Sequence, residues 1–220
     1  MSDVTITVRG ENETRTAPER ATVHLSVRAE GAEREAVVER TMSLAEPVRT
    51  SISERNGTGS VIEWSSNRLS VRTERPWNDQ GKQLAPVHYA TIDFTATFSE
   101  ASELSMWATE IAAWDGVEVG WVNWHLTPQT RADVEREVAS EAVGVAVQRA
   151  QAYATALGLG AVTPVEIADT GLISHDQAPS PKAMMARGAA FAMADAGPAM
   201  EYEPEDIVVS ASVEARFTAR

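Results

Sequence analysis

The chain has 220 residues, of which 43% are hydrophobic, enough to bury a sizeable core in one large domain or in two intimately packed α/β subdomains. Its 19 basic and 32 acidic residues give a formal net charge of −13, so no basic surface is available for a phosphate backbone. We therefore expect no nucleic-acid binding. The absence of cysteine excludes disulfides, thiolate zinc sites and cysteine nucleophiles.

The N-terminal segment, MSDVTITVRGENE, has neither the basic start nor the apolar centre of a signal peptide. No run of about 18 apolar residues occurs in the chain. These two observations predict a cytoplasmic protein without a membrane span.

The first part of the chain predicts two strands and a helix. Residues 4–9 and 21–29 show strand patterns, and the second alternates cleanly between apolar and polar positions. Residues 32–55 have helical spacing, with the Asn-Gly pair at 56–57 as the stop. Because a proline inside a helix removes a hydrogen bond and clashes with the preceding turn, Pro47 predicts a kink or break near residues 43–47.

The next segment predicts strands joined by turns. The apolar phase of residues 61–73 changes in the middle, which indicates a bulge or turn near residues 65–68. Residues 74–86 carry the turn chemistry of a hairpin loop, and residues 87–98 form a cleanly alternating strand.

The remaining elements include a long, alanine-rich helix at residues 127–160. Thr127 is suited to cap it, Pro128 to its first turn, and Gly158 with Gly160 to its end. The following residues predict its packing face: Val134, Val138, Ala142, Val145, Ala152, Tyr153 and Ala156. The other elements expected in this part are a helix at 100–113 and strands at 117–126, 162–168 and 206–218.

Residues 170–203 predict a long, flexible loop rich in Met, Ala and Pro. Loops longer than about 12–15 residues are usually functional or disordered. Because methionine adapts to irregular partners, this loop is a candidate interface, although a disordered linker is nearly as well supported. The candidate interface residues are Met184, Met185, Phe191, Met193 and Met200.

Four segments together resemble the SIMPL-domain family, a bacterial group that includes periplasmic immunogenic proteins. They are VTITVRGENETRTAPERATVHLSV, VHYATIDFTATF, AVGVAVQRAQAYATALGLGAVTPVEIAD and YEPEDIVVSASVEARF, and the match covers nearly the whole chain, 1–220, as one SIMPL-like domain. The resemblance implies an α+β fold with antiparallel sheets packed with long helices. It also implies ring-like or channel-like oligomers in some members, stress-related or adaptor roles, and no known catalytic residues. Many members look exported, and that property is not carried over.

Motifs for chemistry are scarce. The four histidines, His24, His88, His125 and His175, lack the close spacings of metal motifs, so we expect neither a metal nor a cofactor. The chain has six tryptophans, and Trp121 and Trp124 fall on opposite strand faces, so at least one should lie outside a single core. Aromatic residues are enriched at interfaces, although core packing explains most single cases.

The leading hypothesis is therefore a non-enzymatic, homo-oligomeric assembly or interaction protein that associates through its sheet edges, long helix and Met-rich loop. The alternative is a small-molecule binding protein or unrecognised enzyme with a site near Trp77, His88 and Trp121. A third hypothesis is an adaptor for an unknown protein partner.

Overall fold

The chain forms eight β-strands and three α-helices in residues 3–173 and 204–220, the part described by a computed structural model. In chain order these are β1 Val4–Thr16, β2 Arg20–Gly31, α1 Arg34–Thr58, β3 Val61–Ser66, β4 Ser70–Glu74, β5 Val87–Phe98, α2 Ala101–Ala112, β6 Val117–His125, α3 Pro128–Ala156, β7 Thr163–Asp169 and β8 Ile207–Ala219. The strand pairings among these residues are all antiparallel, which confirms the predicted α+β class.

The described chain divides into two compact units. The terminal unit contains residues 3–17, 126–173 and 206–220, and its sheet has the strand order β1-β8-β7. The central unit contains residues 18–125, and its sheet has the order β3-β5-β2-β6, with β4 also paired to β5. Of the predicted loop at 170–203, residues 174–203 lie outside the described residues.

Strand β1 is longer than the predicted strand at residues 4–9. It pairs with β8 along its whole length, from Val4 opposite Ala219 to Thr16 opposite Ile207. The prediction ended too early because the residues after Gly10 are mostly polar. The hydrogen bonds to β8, which come from the far end of the chain, keep them in a strand.

Helix α3 packs on the sheet of the terminal unit through a row of small residues. The fully buried positions are Val138, Ala142, Ala146, Ala150 and Ala154, each four residues after the last. The predicted face was right at Val138 and Ala142 but wrong at Ala152, Tyr153 and Ala156, which are exposed. A row with a spacing of four winds slowly around a helix, and it can therefore follow a twisted sheet.

The start of α3 is capped as predicted. The Thr127 side-chain oxygen accepts a hydrogen bond from the Thr130 backbone N–H at 3.2 Å, and Pro128 occupies the first turn. After the last turn Gly158 adopts a left-handed backbone conformation with φ 72°, which confirms its predicted role in ending the helix.

Replacing Thr127 with alanine should lower the free energy of unfolding by about 1 kcal/mol, because the Thr130 N–H loses its acceptor. Urea denaturation followed by circular dichroism measures this loss. Thr127→Ser is the matched control and should retain most of the stability, since serine keeps the hydroxyl. Equal losses in both variants would contradict a capping role.

In the central unit, helices α1 and α2 bury their apolar residues against one face of the five-stranded sheet. Val23, Leu25 and Val27 of β2 lie in this core. They contact residues from both helices, including Val48 and Trp107. The opposite face of the same sheet carries the alternating polar side chains of β2 and β5.

A kink or a break was predicted at Pro47, and helix α1 continues through this residue without a break. Pro47 lies on the exposed side of the helix, next to the buried residue Val48. Pro47 has no N–H, so the carbonyl of Ser43 lacks its usual helical hydrogen bond. Ser43 lines an open cleft. Water can satisfy this carbonyl there, while the buried face of α1 holds the helix to the sheet.

The phase change in residues 61–73 is an interruption between β3 and β4. Both strands pair with β5, and the Asn67 N–H binds the Asp93 carbonyl at 2.8 Å between them. The prediction of a bulge or turn here is confirmed. The predicted hairpin loop at 74–86 is also confirmed, with Trp77 and Gln83 bridged across it.

Candidate functional site

The polar face of the central sheet contains a bulge in β6. Val122 pairs with Val23 and Val119 pairs with Leu25, so two residues of β6, Gly120 and Trp121, lie opposite the single residue His24. A Cβ atom on Gly120 would lie only 2.8 Å from the His24 carbonyl oxygen, so the close approach requires glycine. The extra residue turns Trp121 onto the polar face, as bulges commonly do beside functional sites.

Trp121 lies against His24 on this face. Their ring centroids are 4.5 Å apart and the ring planes differ by 19°, a stacked arrangement. The Asn123 amide nitrogen lies 3.1 Å from Nε2 of His24. Because an amide nitrogen can only donate, Nε2 accepts this hydrogen bond and fixes the orientation of the imidazole ring.

Two pairs of hydroxyl groups lie on the same face, in neighbouring cross-strand rows. The hydroxyls of Thr22 and Thr97 are 2.9 Å apart, and those of Ser65 and Thr95 are 2.8 Å apart. We call the whole surface the Trp121 platform; its residues are Trp121, His24, Asn123, Thr22, Thr97, Thr95 and Ser65. It spans the four strands β6, β2, β5 and β3.

The structure separates Trp121 from His88, two of the three residues of the predicted small-molecule site. His88 lies opposite Gly31 on β2, whereas Trp121 lies beside His24, and these two β2 positions are roughly 23 Å apart at about 3.3 Å per residue. Trp77 is in the hairpin loop, paired with Gln83. The predicted grouping is therefore wrong, because sequence position does not reveal the strand register.

The tryptophan prediction is confirmed for β6. Trp124 packs against the central core, whereas Trp121 is 65% exposed. The sequence pattern placed Asn123 on the same strand face as Trp121, but His24 was not predicted to be a neighbour of Trp121. A signal was present, since Val119 and Val122 are both apolar at a spacing that a regular strand would put on opposite faces.

A cleft of about 720 Å³ in the central unit lies beside α1. Its lining includes Glu46, Glu54 and Arg55. The Arg55 guanidinium binds the Glu110 carboxylate at 2.9 Å and the Ser51 hydroxyl at 2.7 Å, so these groups hold the two helices together. Among the described residues, no group of three or more His, Asp or Glu side chains is placed to bind a metal ion.

The terminal unit exposes apolar side chains on both flanks of α3. Gln151 accepts a hydrogen bond from the Val162 N–H at 3.1 Å, so the flank of α3 that carries Gln151 lies on the β7 side. Val147, one turn earlier, lies on the same flank and is exposed. Arg149 donates to the Arg9 carbonyl at 2.7 Å, which places the other flank on the β1 side.

Near the start of α3, hydrogen bonds from the Gln129 amide and then the Arg136 guanidinium hold the pKa of Asp133 below its ordinary value. Asp133 is exposed, and these contacts stabilise the ionised form. The contribution of these contacts to folding stability is present above the ordinary pKa of an aspartate, and it is lost as the pH falls through the lowered pKa of Asp133. This group supports the first turns of the helix and is not part of a site.

The fold defines an α+β protein with two antiparallel sheets, one packed against α3 and the other against α1 and α2. In the part of the chain that the structure describes, none of the helices is long and apolar enough to cross a membrane.

The chain belongs to the SIMPL family, whose members are described as proteins of unknown function (DUF541), because the family's sequence model matches residues 6–217. This match confirms the resemblance found in the sequence. No curated protein matches the chain.

Proposed function

We propose that this protein is a non-enzymatic assembly protein that forms homo-oligomers through the apolar flanks of helix α3. The observation that carries the proposal is the exposure of large apolar side chains on both flanks of one helix. Solvent-exposed apolar patches of this kind typically mark protein–protein contacts.

The first flank, with the neighbouring strand β7, forms what we call the α3–β7 groove, lined by Val143, Val147, Gln151 and Ile167. Ile167 pairs with Ala215, which is buried in the core beneath α3, so Ile167 points to the same side of the sheet as the helix. Ile167 is nevertheless 55% exposed, because α3 packs on β1 and β8 and does not extend over the edge strand. The groove thus has an apolar floor and an apolar wall.

The second flank carries what we call the Tyr153 ridge, formed by Tyr153 and Leu157. Both residues follow Arg149 at steps of four, so they continue the flank that Arg149 places on the β1 side. Tyr153 is 52% exposed, and Leu157 is also exposed.

Two different apolar surfaces on opposite flanks support a heterologous contact, in which the ridge of one copy enters the groove of the next. Contacts of this kind close into rings or extend into filaments.

Direct strand addition at β7 is less favoured. Its pairing is irregular between Pro164 and Glu166, and a proline and a bulge both protect a sheet edge. The predicted interface residues, Met184, Met185, Phe191, Met193 and Met200, lie outside the described residues and stay a second proposed contact.

Light scattering coupled to size exclusion tests the assembly directly. We expect the full chain to have a mass several times 23.7 kDa, rising from low to moderate salt because salt screens the repulsion between copies of charge −13. Ile167→Glu and Tyr153→Glu should each reduce the mass, because each buries a charge in the proposed contact. Met106→Glu is the control, since Met106 is 66% exposed on α2 of the central unit.

Mixing the two variants distinguishes the contact type. The Ile167→Glu chain keeps an intact ridge and the Tyr153→Glu chain keeps an intact groove, so an equimolar mixture should form a dimer that neither variant forms alone. A wild-type monomer at high concentration would overturn the assembly proposal. Variants that leave the wild-type mass unchanged would overturn the assignment of these surfaces.

A further inference from the structure

The Trp121 platform carries an indole whose exposure the packing of the central unit does not explain. The neighbouring tryptophan of the strand, Trp124, contacts the core, whereas Trp121 is held outside it by the bulge at Gly120. One ring face of Trp121 stacks on His24, and the residue is still 65% exposed. The bulge thus holds a large aromatic surface in a fixed orientation on a polar sheet.

The chemistry of the platform limits its partner. Its members are Trp, Asn, Thr and Ser side chains and a histidine that accepts a hydrogen bond, so none of them carries a carboxylate or a guanidinium. Carboxylates flank these members on the same face, because Glu63 lies opposite Thr97 and both Asp93 and Glu118 lie opposite Ser26. The remainder of the chain has a net charge of −13 and would repel an anion. The platform is also a sheet face, not a concave pocket of the kind that encloses a compact apolar ligand. An uncharged ligand with an extended shape fits these properties best.

The arrangement also limits the shape of that ligand. An exposed indole packs against a flat apolar surface, while Ser, Thr and Asn side chains both donate and accept hydrogen bonds. The hydroxyl pairs lie along the direction that crosses the strands, and four strands at about 4.8 Å spacing span roughly 14 Å. A pyranose chain with equatorial substituents combines flat apolar C–H faces with hydroxyl edges along such a length.

We propose that the Trp121 platform binds a neutral β-1,4-linked oligosaccharide, with one sugar ring stacked on Trp121 and neighbouring hydroxyls bound by Asn123 and the Thr22–Thr97 pair. This proposal does not rest on homo-oligomerisation, because the residues of the platform belong to the central unit and those of the assembly surfaces belong to the terminal unit. Glucose and N-acetylglucosamine chains share the required geometry, so both are probes.

The test is isothermal titration of the full chain with cellohexaose and with chitohexaose. We expect saturable binding of at least one of them, and Trp121→Ala should weaken it by about tenfold or more, the effect typical of an aromatic residue at the centre of a contact. Trp77→Ala is the matched control and should leave binding unchanged, since Trp77 is 67% exposed but lies in the hairpin loop. Preference between the two sugars identifies the source of the chain.

A site-specific readout comes from ¹⁹F spectra of protein labelled with 5-fluorotryptophan. The bound sugar should shift the signal that is lost in the Trp121 variant and should leave the Trp77 signal in place. The proposal is overturned if neither sugar binds at millimolar concentration, or if binding survives Trp121→Ala. It is also overturned if Trp121→Ala changes the mass of the assembly while the wild-type chain binds no sugar, because the indole then serves a protein contact.

Discussion

Replacing Gly10 with alanine is expected to destabilise the terminal unit by about 3 kcal/mol, the upper end of the usual cost of overpacking. Gly10 lies on β1 under helix α3. An added Cβ atom would lie 2.0 Å from the Ala142 carbonyl oxygen and 2.7 Å from the Ala146 backbone nitrogen. These are backbone atoms of one helical turn, so they cannot move aside unless the helix shifts and loses its close packing on the sheet.

Urea denaturation gives the stability loss, and hydrogen exchange of residues 128–156 shows whether α3 is the element released. Gly144→Ala is the control on the same helix, since a Cβ atom there meets nothing within 4 Å. That substitution should stabilise the protein by about 0.5–1 kcal/mol, because glycine is unfavourable inside a helix. Similar effects of the two substitutions would contradict the close approach at Gly10.

Replacing Trp107 with alanine should destabilise the central unit by about 3–5 kcal/mol, the range measured for large aromatic residues in cores. Trp107 is 1% exposed on α2, and its ring lies 5.2 Å from that of Phe98. Its indole N–H also donates to the Ser51 hydroxyl at 3.0 Å. The substitution removes the packing between α1, α2 and the sheet, and it leaves a cavity.

Chemical denaturation followed by hydrogen exchange of residues 34–58 measures this effect. Met106→Ala is the neighbouring control and should change stability by less than about 0.5 kcal/mol, because Met106 is exposed on the same helix. Trp107→Phe should lie between the two, since it retains most of the ring packing but not the donor. A loss below 1 kcal/mol for Trp107→Ala would contradict its central place in the core.

Local patterns predicted most of the secondary structure because they act over a few residues. The alternation in residues 87–98 matches β5, and the phase change after residue 61 matches the gap between β3 and β4. Local rules failed where a distant partner decided the outcome. β1 continues past Gly10 because β8 pairs with it, and α1 continues through Pro47 because its opposite face is buried.

The candidate sites were predicted only in part. The sequence indicated that Trp121 and Trp124 face opposite ways, and this proved correct. It did not place His24 beside Trp121, because that contact depends on the pairing of β2 with β6 across a bulge. It grouped Trp121 with His88 without knowledge of the register, and the structure separates them along β2.

The sequence by itself determined the α+β class, the family and the ends of helix α3, because composition, alternation and capping are carried by neighbouring residues. Only the tertiary structure decided which alanines face the sheet, why residue 10 is glycine and which side chains surround Trp121. These features depend on strand register and on the approach of a helix to a sheet. Strand register and helix–sheet packing join residues that are far apart in the chain, so no local sequence pattern predicts them.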